Sequence, residues 1–296
     1  MNPITTRPAN TNSAGTTFLV QLTDTHIREP GRLAYGRIDT APYLRAAVAS
    51  VLALRQRPDA VVITGDLVDF GRAAEYAHLA ELLAPLDMPV HLLAGNHDDR
   101  AELRRAFPNY AGLAGQGAEA AGEGDFIQYS VAVGGLRLIA LDTSVPGAPY
   151  GLLCATRLAW LEAELVRRAH QPVVLAMHHP PFGTLIGHMD AIGLREGGPA
   201  LEALIRRFPN VERVICGHLH RAIEVRFGGS IAATAPGPAH QVALDLRPEA
   251  PSQWMLEPPA FRVHALPVGG RLVSHLAPIG EFAGPYPFHD GGALID

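Results

Sequence analysis

Lysine is absent from this 296-residue chain, so all 24 of its basic residues are arginine. The absence excludes a lysine that forms a Schiff base with a substrate and the phosphate-binding lysine of a P-loop. Chemistry on a phosphate group must therefore draw its positive charge from arginine or from metal ions. Cysteine is scarce too, since Cys154 and Cys216 are too few for a disulfide framework or a thiolate metal site. We expect both to be small buried apolar residues.

Long apolar runs are missing as well. No stretch reaches the roughly 18 apolar residues that a membrane-spanning helix requires, and the first 16 residues lack the apolar core of a signal peptide. We therefore expect a cytoplasmic protein without membrane contact, with residues 1–16 as a flexible tail. The net charge of −5, with no Lys or Arg cluster longer than a pair, argues against a nucleic-acid surface.

Short apolar strands alternate with segments of helical spacing along the chain. Strands are predicted over residues 18–20, 60–64, 90–93, 172–177 and 211–215, and helices over 43–57, 73–83, 155–169 and 199–207. This alternation predicts an α/β fold, with a mainly parallel inner sheet and helices outside it. Residues 111–124, rich in Gly and Ala, and the Pro-rich 247–259 are predicted to be loops or lids.

Five short runs of metal-ligand residue types each follow one of the apolar strands. They are Asp24-Thr25-His26, Gly65-Asp66, Gly95-Asn96-His97-Asp98, His178-His179-Pro180 and Gly217-His218-Leu219-His220. Ligands at the carboxyl ends of parallel strands converge on one crevice. Carboxylate, imidazole and amide donors without thiolate favour Zn, Mn, Fe or Co over Ca or a structural zinc.

Each run taken alone has an ordinary structural interpretation. Asp24 can be a capping residue, Asp66 a turn residue, and Asp98 or Asp99 the N-cap of a following helix. A single histidine is more often a packed core residue than a ligand. For all five runs together, these interpretations require independent coincidences at equivalent strand ends. We therefore interpret the runs as one metal site.

The ordered set of runs resembles the signature of the calcineurin-like metallophosphoesterases, over about residues 17–280. The resemblance implies a catalytic domain with the fold of a four-layered αββα sandwich, two mixed sheets flanked by helices. It also implies two bound metal ions, divalent or of mixed valence. In this assignment Asp24, His26 and His220 bind the first ion, Asn96, His178 and His218 bind the second, and Asp66 bridges them.

A narrower similarity is to the bacterial glycerophosphodiesterases and class III cyclic-nucleotide phosphodiesterases. It rests on residues 57–62, on Asp39 after Tyr35-Gly36, on Asn96-His97-Asp98-Asp99, and on Pro236-Gly237 before His240-Gln241-Val242. This similarity implies hydrolysis of small phosphodiesters with broad tolerance, and a homo-oligomer. Residues 281–296 form a C-terminal extension with three aromatic residues, Phe282, Tyr286 and Phe288. We expect these residues to pack against another surface, such as that of a second subunit.

The expected mechanism uses hydroxide rather than a side chain as nucleophile, because two metal ions lower the pKa of a shared water. Asp66 is catalytic as the bridge, and His97, unused as a ligand, is expected to stabilise developing charge or protonate the leaving alkoxide. The resemblance places His240 near the substrate, with an ordinary loop residue as the alternative, and His188 is a second substrate-side candidate. His179 is expected to point elsewhere.

Three other functions stay open at this point. The chain can be a phosphodiesterase specific for 3′,5′-cyclic AMP, a phosphomonoesterase, or a metal-bearing scaffold without turnover. The complete ligand set and the unliganded His97 argue against the scaffold, which has no need for such a histidine.

Overall fold

Two mixed β-sheets form the centre of the protein, as a computed structural model describes it over residues 15–110, 112–113, 125–290 and 292–294. The helices in this part of the chain are α1 (Ala41–Leu52), α2 (Ala73–Leu83), α3 (Arg100–Ala106), α4 (Ala155–Arg167), α5 (Gly187–Asp190) and α6 (Gly198–Arg206). The strands are β1 (Thr17–Leu22), β2 (Ala60–Ile63), β3 (Val90–Leu92), β4 (Tyr129–Val133), β5 (Leu136–Leu141), β6 (Gly151–Leu152), β7 (Val173–Met177), β8 (Leu194–Glu196), β9 (Val211–Cys216), β10 (Glu224–Phe227), β11 (Ser230–Thr234), β12 (Gln241–Val242), β13 (Trp254–Met255), β14 (Ala260–Leu266), β15 (Val273–Pro278), β16 (His289–Asp290) and β17 (Ala293–Leu294).

Each sheet combines parallel strands with antiparallel ones. The first has the order β15-β14-β1-β2-β3, in which β1, β2 and β3 are parallel, β14 is antiparallel to β1, and β15 is antiparallel to β14. The second has the order β10-β11-β9-β7-β5-β4, with β11, β9, β7 and β5 parallel. The carboxyl ends of the parallel strands are therefore the edges at which ligands can gather.

Alternation along the central strands divides the core into layers. Val174 of β7 belongs to the buried cluster that includes the first sheet, whereas Val173 and Leu175 belong to the cluster of Leu161 in α4 and Leu201 in α6. Successive side chains of a strand point to opposite faces, so the second sheet packs on the first sheet with one face and on helices with the other. The helices α1 and α2 contribute to the first cluster, which gives the order helix, sheet, sheet, helix. The predicted four-layered α/β sandwich of mixed sheets is confirmed.

Several boundaries differ from the sequence-based predictions. The helix predicted over 43–57 begins at Ala41 and ends at Leu52, and α5 lies in a segment for which no helix was assigned. The helix α3 is the one that the N-cap interpretation of Asp98 or Asp99 allows. Asp99 is the N-cap of α3, because its side chain accepts a hydrogen bond from the backbone N–H of Glu102. Within the predicted lid 247–259, Trp254 and Met255 form β13 and pair with β12.

Other predictions fall partly outside the described residues. Most of the predicted lid at 111–124 and most of the predicted tail at 1–16 lie there. Cys216 is buried as expected, but Cys154 is only half-buried, because it is the N-cap residue of α4 rather than a core residue. Phe282, Tyr286 and Phe288 are 67%, 75% and 81% exposed in this chain. Within the described part of the chain, every helix is too short or too polar to cross a bilayer.

Candidate metal centre

The fold brings all five runs of ligand residues to one place. Three of them follow the adjacent strands β1, β2 and β3 of the first sheet, and two follow β7 and β9 of the second sheet. Of the seven predicted ligands, Asn96 is half-buried and the other six are buried. The site therefore lies where the carboxyl edges of the two sheets meet.

One carboxylate oxygen, Oδ2 of Asp66, faces imidazoles from both sides of the site. It lies 3.3 Å from Nε2 of His178 and 3.6 Å from Nε2 of His26. Nε2 of His178 is in turn 3.1 Å from Oδ1 of Asn96, whereas Nε2 of His26 is 3.2 Å from Nε2 of His220. The donors therefore form two groups with Asp66 between them.

Asp24 and His218 complete the two groups. Oδ1 of Asp24 lies 3.5 Å from Nε2 of His220, and both carboxylate oxygens accept the backbone N–H of His218 at 3.0 Å. Donor atoms of Asp24, Asp66 and His178 lie within 4.8 Å of one another. The predicted seven side chains thus occupy one continuous cluster.

The nitrogen Nε2 of His218 shows that this cluster fits a metal. It is buried and has no hydrogen-bond partner among the described residues. Burial, and then the charge of His178, lowers the pKa of His218 to about 3, so the ring is neutral at neutral pH and can offer a lone pair. Buried polar atoms normally have a partner, and a metal ion is the partner that this donor set suits.

The backbone at the ligand residues is held in an uncommon conformation. Positive φ angles occur at five of the seven ligand positions: Asp24 (52°), His26 (43°), Asp66 (47°), His218 (71°) and His220 (50°). Left-handed backbone costs a non-glycine residue on the order of 1–3 kcal/mol and concentrates at functional sites. After β1, β2 and β9, this left-handed bend turns the predicted ligands toward the shared cluster.

Two glycines let the runs approach one another closely. A Cβ atom on Gly65 would lie 2.5 Å from Nδ1 of His178, and one on Gly95 would lie 2.2 Å from Oδ1 of Asp66. Any larger residue would displace a predicted ligand, so contact with the neighbouring run requires glycine at both positions.

Contacts to Nδ1 fix which ring nitrogen of His178 and of His26 faces the cluster. Nδ1 of His178 donates to the carbonyl oxygen of Thr64 at 2.8 Å, and Nδ1 of His26 lies 3.1 Å from Oδ1 of Asp69. Each contact leaves Nε2 directed at the cluster, which is how histidine ligands are commonly oriented. Asp69 was not predicted as a site residue, although it lies only three residues after Asp66 in the sequence.

The site is strongly polarised before any metal binds. Burial raises the pKa of Asp24 to about 6. Burial opposes the charge on Asp66 and on His178, but their mutual attraction outweighs it, so the pKa of Asp66 is held well below its usual range and that of His178 rises to about 9. Without metal, a proton on His178 therefore supplies part of the positive charge that ions supply when bound.

A cavity of about 240 Å³ opens onto the cluster. It is lined by predicted ligands together with His97, His188, His240, Tyr35 and Trp254. The aromatic residues Tyr35 and Trp254, 5.6 Å apart between ring centroids, were not predicted as site residues. Trp254 was missed because it lies in a Pro-rich segment without periodicity.

His97 is held at the mouth of the cluster by both its backbone and its ring. Its N–H donates to Oδ1 of Asp66 at 2.9 Å, and its Nδ1 donates to the carbonyl oxygen of Asp69 at 2.8 Å. The side chain is 34% exposed, whereas the histidines predicted as ligands are buried. Nε2 of His97 is therefore the nitrogen left for a ligand in the cavity.

His240 and His188 both lie at the cavity, as the substrate-side prediction requires. Nε2 of His240 is 3.2 Å from the hydroxyl of Tyr35, and the carbonyl oxygen of His240 accepts from Nδ1 of His220 at 3.1 Å. Burial lowers the pKa of His240 to about 3. Nδ1 of His240 and Nδ1 of His188 are buried without a partner among the described residues.

His179 and Asp98 lie beside the cluster with their polar atoms occupied. The ring of His179 contacts Oγ1 of Thr143 at 2.9 Å and the carbonyl oxygen of Pro149 at 3.3 Å, which uses both nitrogens. Asp98 accepts from the backbone N–H of Gly95 at 2.8 Å and from the hydroxyl of Tyr76 at 2.9 Å. Both residues therefore support the loops that carry the predicted ligands.

Comparison with known proteins places the chain among relatives of matching length. A probable glycerophosphodiester phosphodiesterase GpdQ of Arcobacter nitrofigilis is 37% identical over 280 residues, covering 94% of this chain and 100% of that protein. The 3′,5′-cyclic adenosine monophosphate phosphodiesterase CpdA of Pseudomonas aeruginosa is 31% identical over 227 residues, covering 76% of this chain and 78% of that protein.

A solved structure shares the fold at low sequence identity. The dimetal phosphatase from Danio rerio superposes with a TM-score of 0.62 at 18% identity, over 90% of this chain and 97% of that one. Residues 19–222 match the family model for calcineurin-like phosphoesterases. With His and Asp clusters that fit a dinuclear metal centre, this chain belongs to the calcineurin-like phosphoesterase family.

Proposed function

We propose that this protein is a dinuclear metal-dependent phosphodiesterase that hydrolyses small phosphodiesters, including glycerophosphodiesters. The observation that carries the proposal is the position of Asp66, whose Oδ2 lies within 3.6 Å of imidazoles from two separate donor groups. Relatives named as phosphodiesterases support the diester as substrate.

In the proposed centre each donor group holds one ion. Asp24, His26 and His220 would hold the first, Asn96, His178 and His218 the second, and Asp66 would contact both. Nitrogen and oxygen donors of this kind accept Fe, Mn, Zn or Co, so the metals loaded depend on supply as well as on affinity. Two such ions would lower the pKa of water, orient a phosphoryl oxygen and neutralise charge in the transition state.

Side chains of the protein would position the substrate and donate a proton to it. His97 has its Nδ1–H committed to the carbonyl of Asp69, so Nε2 faces the cavity, and in the imidazolium form its proton can reach an oxygen there. We propose that His97 stabilises the developing phosphoryl charge or protonates the departing alkoxide. His240 is neutral because of its burial, and its Nε2 lies 3.2 Å from the Tyr35 hydroxyl, so this pair would donate one hydrogen bond to the phosphodiester.

A cyclic nucleotide is the second candidate substrate. The cavity has an aromatic wall made by Trp254 and Tyr35, on which a nucleobase can stack. The relative from Pseudomonas aeruginosa is named for hydrolysis of 3′,5′-cyclic AMP. Substitution of Trp254 by Leu separates the candidates, because it should weaken a cyclic nucleotide more than a glycerophosphodiester.

A substrate panel with metal analysis tests the proposal. Freshly purified protein is analysed for metals, then assayed on bis(p-nitrophenyl) phosphate, p-nitrophenyl phosphate, glycerophosphocholine and cyclic AMP. We expect two metal ions per chain and faster turnover of diesters than of the monoester. Preference for the monoester would refute the diester assignment, and no turnover with a full metal complement would identify a scaffold.

We also propose that the protein is a homo-oligomer that uses its C-terminal segment. Phe282, Tyr286 and Phe288 expose large aromatic surfaces on this chain, and such patches commonly mark contacts. Light scattering after size-exclusion chromatography measures the mass, and replacing the three residues with Ser should reduce it. A monomeric wild-type protein would contradict this proposal.

A further inference from the structure

A second polar recess lies away from the metal centre. It is an open groove of about 540 Å³ where the β10–β11 hairpin approaches the start of β9 and residues before β15. Its charged and hydroxyl-bearing lining residues are Arg213, Arg226, Arg271, Glu212, Glu224 and Ser230. Arg213 precedes His218 by five residues along an extended strand, which puts the groove roughly 16 Å from the metal centre.

Arg213 is a buried cation without a partner. The residue is 8% exposed, its Nε has no acceptor, and its guanidinium makes no hydrogen bond or ion pair with any described residue. Oγ of Ser230, in the same groove, is also buried without a partner among these residues. Buried charges and hydroxyls are normally paired, because leaving them unpaired costs several kcal/mol or more in desolvation.

The acidic residues of the groove are engaged with other groups. Glu224 accepts from Nη1 of Arg262 at 2.6 Å, and Oε2 of Glu212 accepts the backbone N–H of Leu272 at 3.2 Å. Both glutamates lie near enough to attract the charge of Arg213, but neither hydrogen-bonds to it within the described chain.

The remaining groups give the groove a positive balance. Arg226 and Arg271 are exposed and make no ion pair within the described chain. The formal charge of the groove is +2 when Arg262, the partner of Glu224, is counted with it. Four arginines then stand against two glutamates. His264, whose pKa is lowered to about 3 by burial and then by Arg213 and Arg262, adds no charge.

We propose that this groove binds a phosphate-group dianion, either free phosphate or a phosphate monoester. A dianion balances the local charge. Guanidinium groups present parallel N–H donors that match two oxygens of a phosphate, and Arg213, Arg226 and Arg271 reach the groove from three separate segments. The Ser230 hydroxyl supplies a further donor to a third oxygen. The site is independent of the metal centre and of the reaction proposed there.

Calorimetric titration of the metal-loaded protein with inorganic phosphate at pH 8 tests the proposal. We expect two binding sites, one at the metal centre and one at the groove. Arg213→Met should weaken the groove site by about 10-fold or more, since a hydrogen bond to a charged group contributes about 1.5–3 kcal/mol. Arg207→Met, a matched change at an exposed arginine paired with Glu162, should leave both sites intact. Asp66→Asn should remove the other site only.

A parallel titration with phenyl phosphate distinguishes the two sources of the dianion, because tighter binding than that of phosphate would identify an organic monoester. If Arg213→Met fails to fold by circular dichroism, the double variant Arg226→Met/Arg271→Met decides instead, because both residues are exposed. A single phosphate site that Asp66→Asn abolishes would overturn the proposal. So would a second site whose affinity is unchanged in the folded arginine variants.

Discussion

Oδ1 of Asp69 lies 3.1 Å from Nδ1 of His26, on the opposite side of the ring from Nε2, which faces His220 at 3.2 Å. The carboxylate therefore fixes both the tautomer and the angle of this imidazole. Asp69 is itself held by Arg28, whose Nη1 lies 3.3 Å from Oδ2. A chain of three side chains thus determines where one proposed metal ligand points.

Replacing Asp69 with Asn should weaken metal binding without touching a proposed ligand. A carboxylate behind a histidine ligand orients the ring and raises its basicity, and its loss typically costs 10–100-fold in metal affinity. Competition with a chelator of known affinity measures the change. Asp87→Asn, at a half-exposed aspartate paired with Arg57, is the matched control. Equal metal affinities in the two variants would show that Asp69 has no such role.

His97→Gln should slow turnover while leaving the metals in place. The side chain lies at the cavity but belongs to neither proposed donor group, so its loss should remove the proposed proton donor and not a proposed ligand. We expect kcat to fall by about 10²–10⁴-fold, the usual contribution of general acid catalysis. Metal content and kcat are measured on the same sample, with the exposed His170→Gln as control. Loss of metal in His97→Gln would refute the assignment.

Gly95→Ala should disable the metal centre. The added Cβ would lie 2.2 Å from Oδ1 and 2.3 Å from the backbone nitrogen of Asp66, and the backbone cannot move aside cheaply. We expect a loss of about 1–3 kcal/mol in the free energy of unfolding from overpacking, together with loss of bound metal. Gly135→Ala is a suitable control, because its Cβ would meet only Oγ1 of Thr17 at 3.5 Å. Normal metal content in Gly95→Ala would contradict this contact.

The metal-free protein should become less stable as the pH rises from 6.5 to 9. The pKa of His178 is raised to about 9 in the folded chain, so folding holds this proton more tightly than the unfolded chain does. Its stabilisation is complete below about 6.5 and is lost as the pH passes through 9, on the order of 3 kcal/mol in total.

Denaturant unfolding in chelator buffer across this range measures the slope. His178→Asn should flatten it, whereas the exposed His275→Asn should not. Stability that rises with pH in the metal-free wild type would show that the Asp66–His178 pair does not hold the proton.

The sequence predicts the strands and the five runs well, because both depend on local patterns. Apolar strands such as Val173–Met177 are recognisable from composition, and a run of predicted ligand residues follows five of them. The helix α2 has its predicted bounds because an amphipathic period and Pro85 define it. Such features need no knowledge of the tertiary structure.

The supporting groups were harder to predict because they depend on distant parts of the chain. Tyr35 contacts His240 across 205 positions of sequence, and Trp254 joins them from a segment without periodicity. Asp69 is close to Asp66 in sequence, but its role depends on His26, which is 43 positions away. From the sequence alone, Arg213 is a polar residue near the start of a strand. Its burial is evident only from the tertiary structure.

The proposed ligands come from both sheets, three runs from one and two from the other. Ions held there would join the sheets as a reversible cross-link at one end of the sandwich. A ligand that binds only the folded chain stabilises it by about 2.7 kcal/mol at a concentration of 100 times its Kd. Metal supply would then set the lifetime of the folded protein against proteolysis as well as its rate of reaction, and metal starvation would remove the enzyme itself.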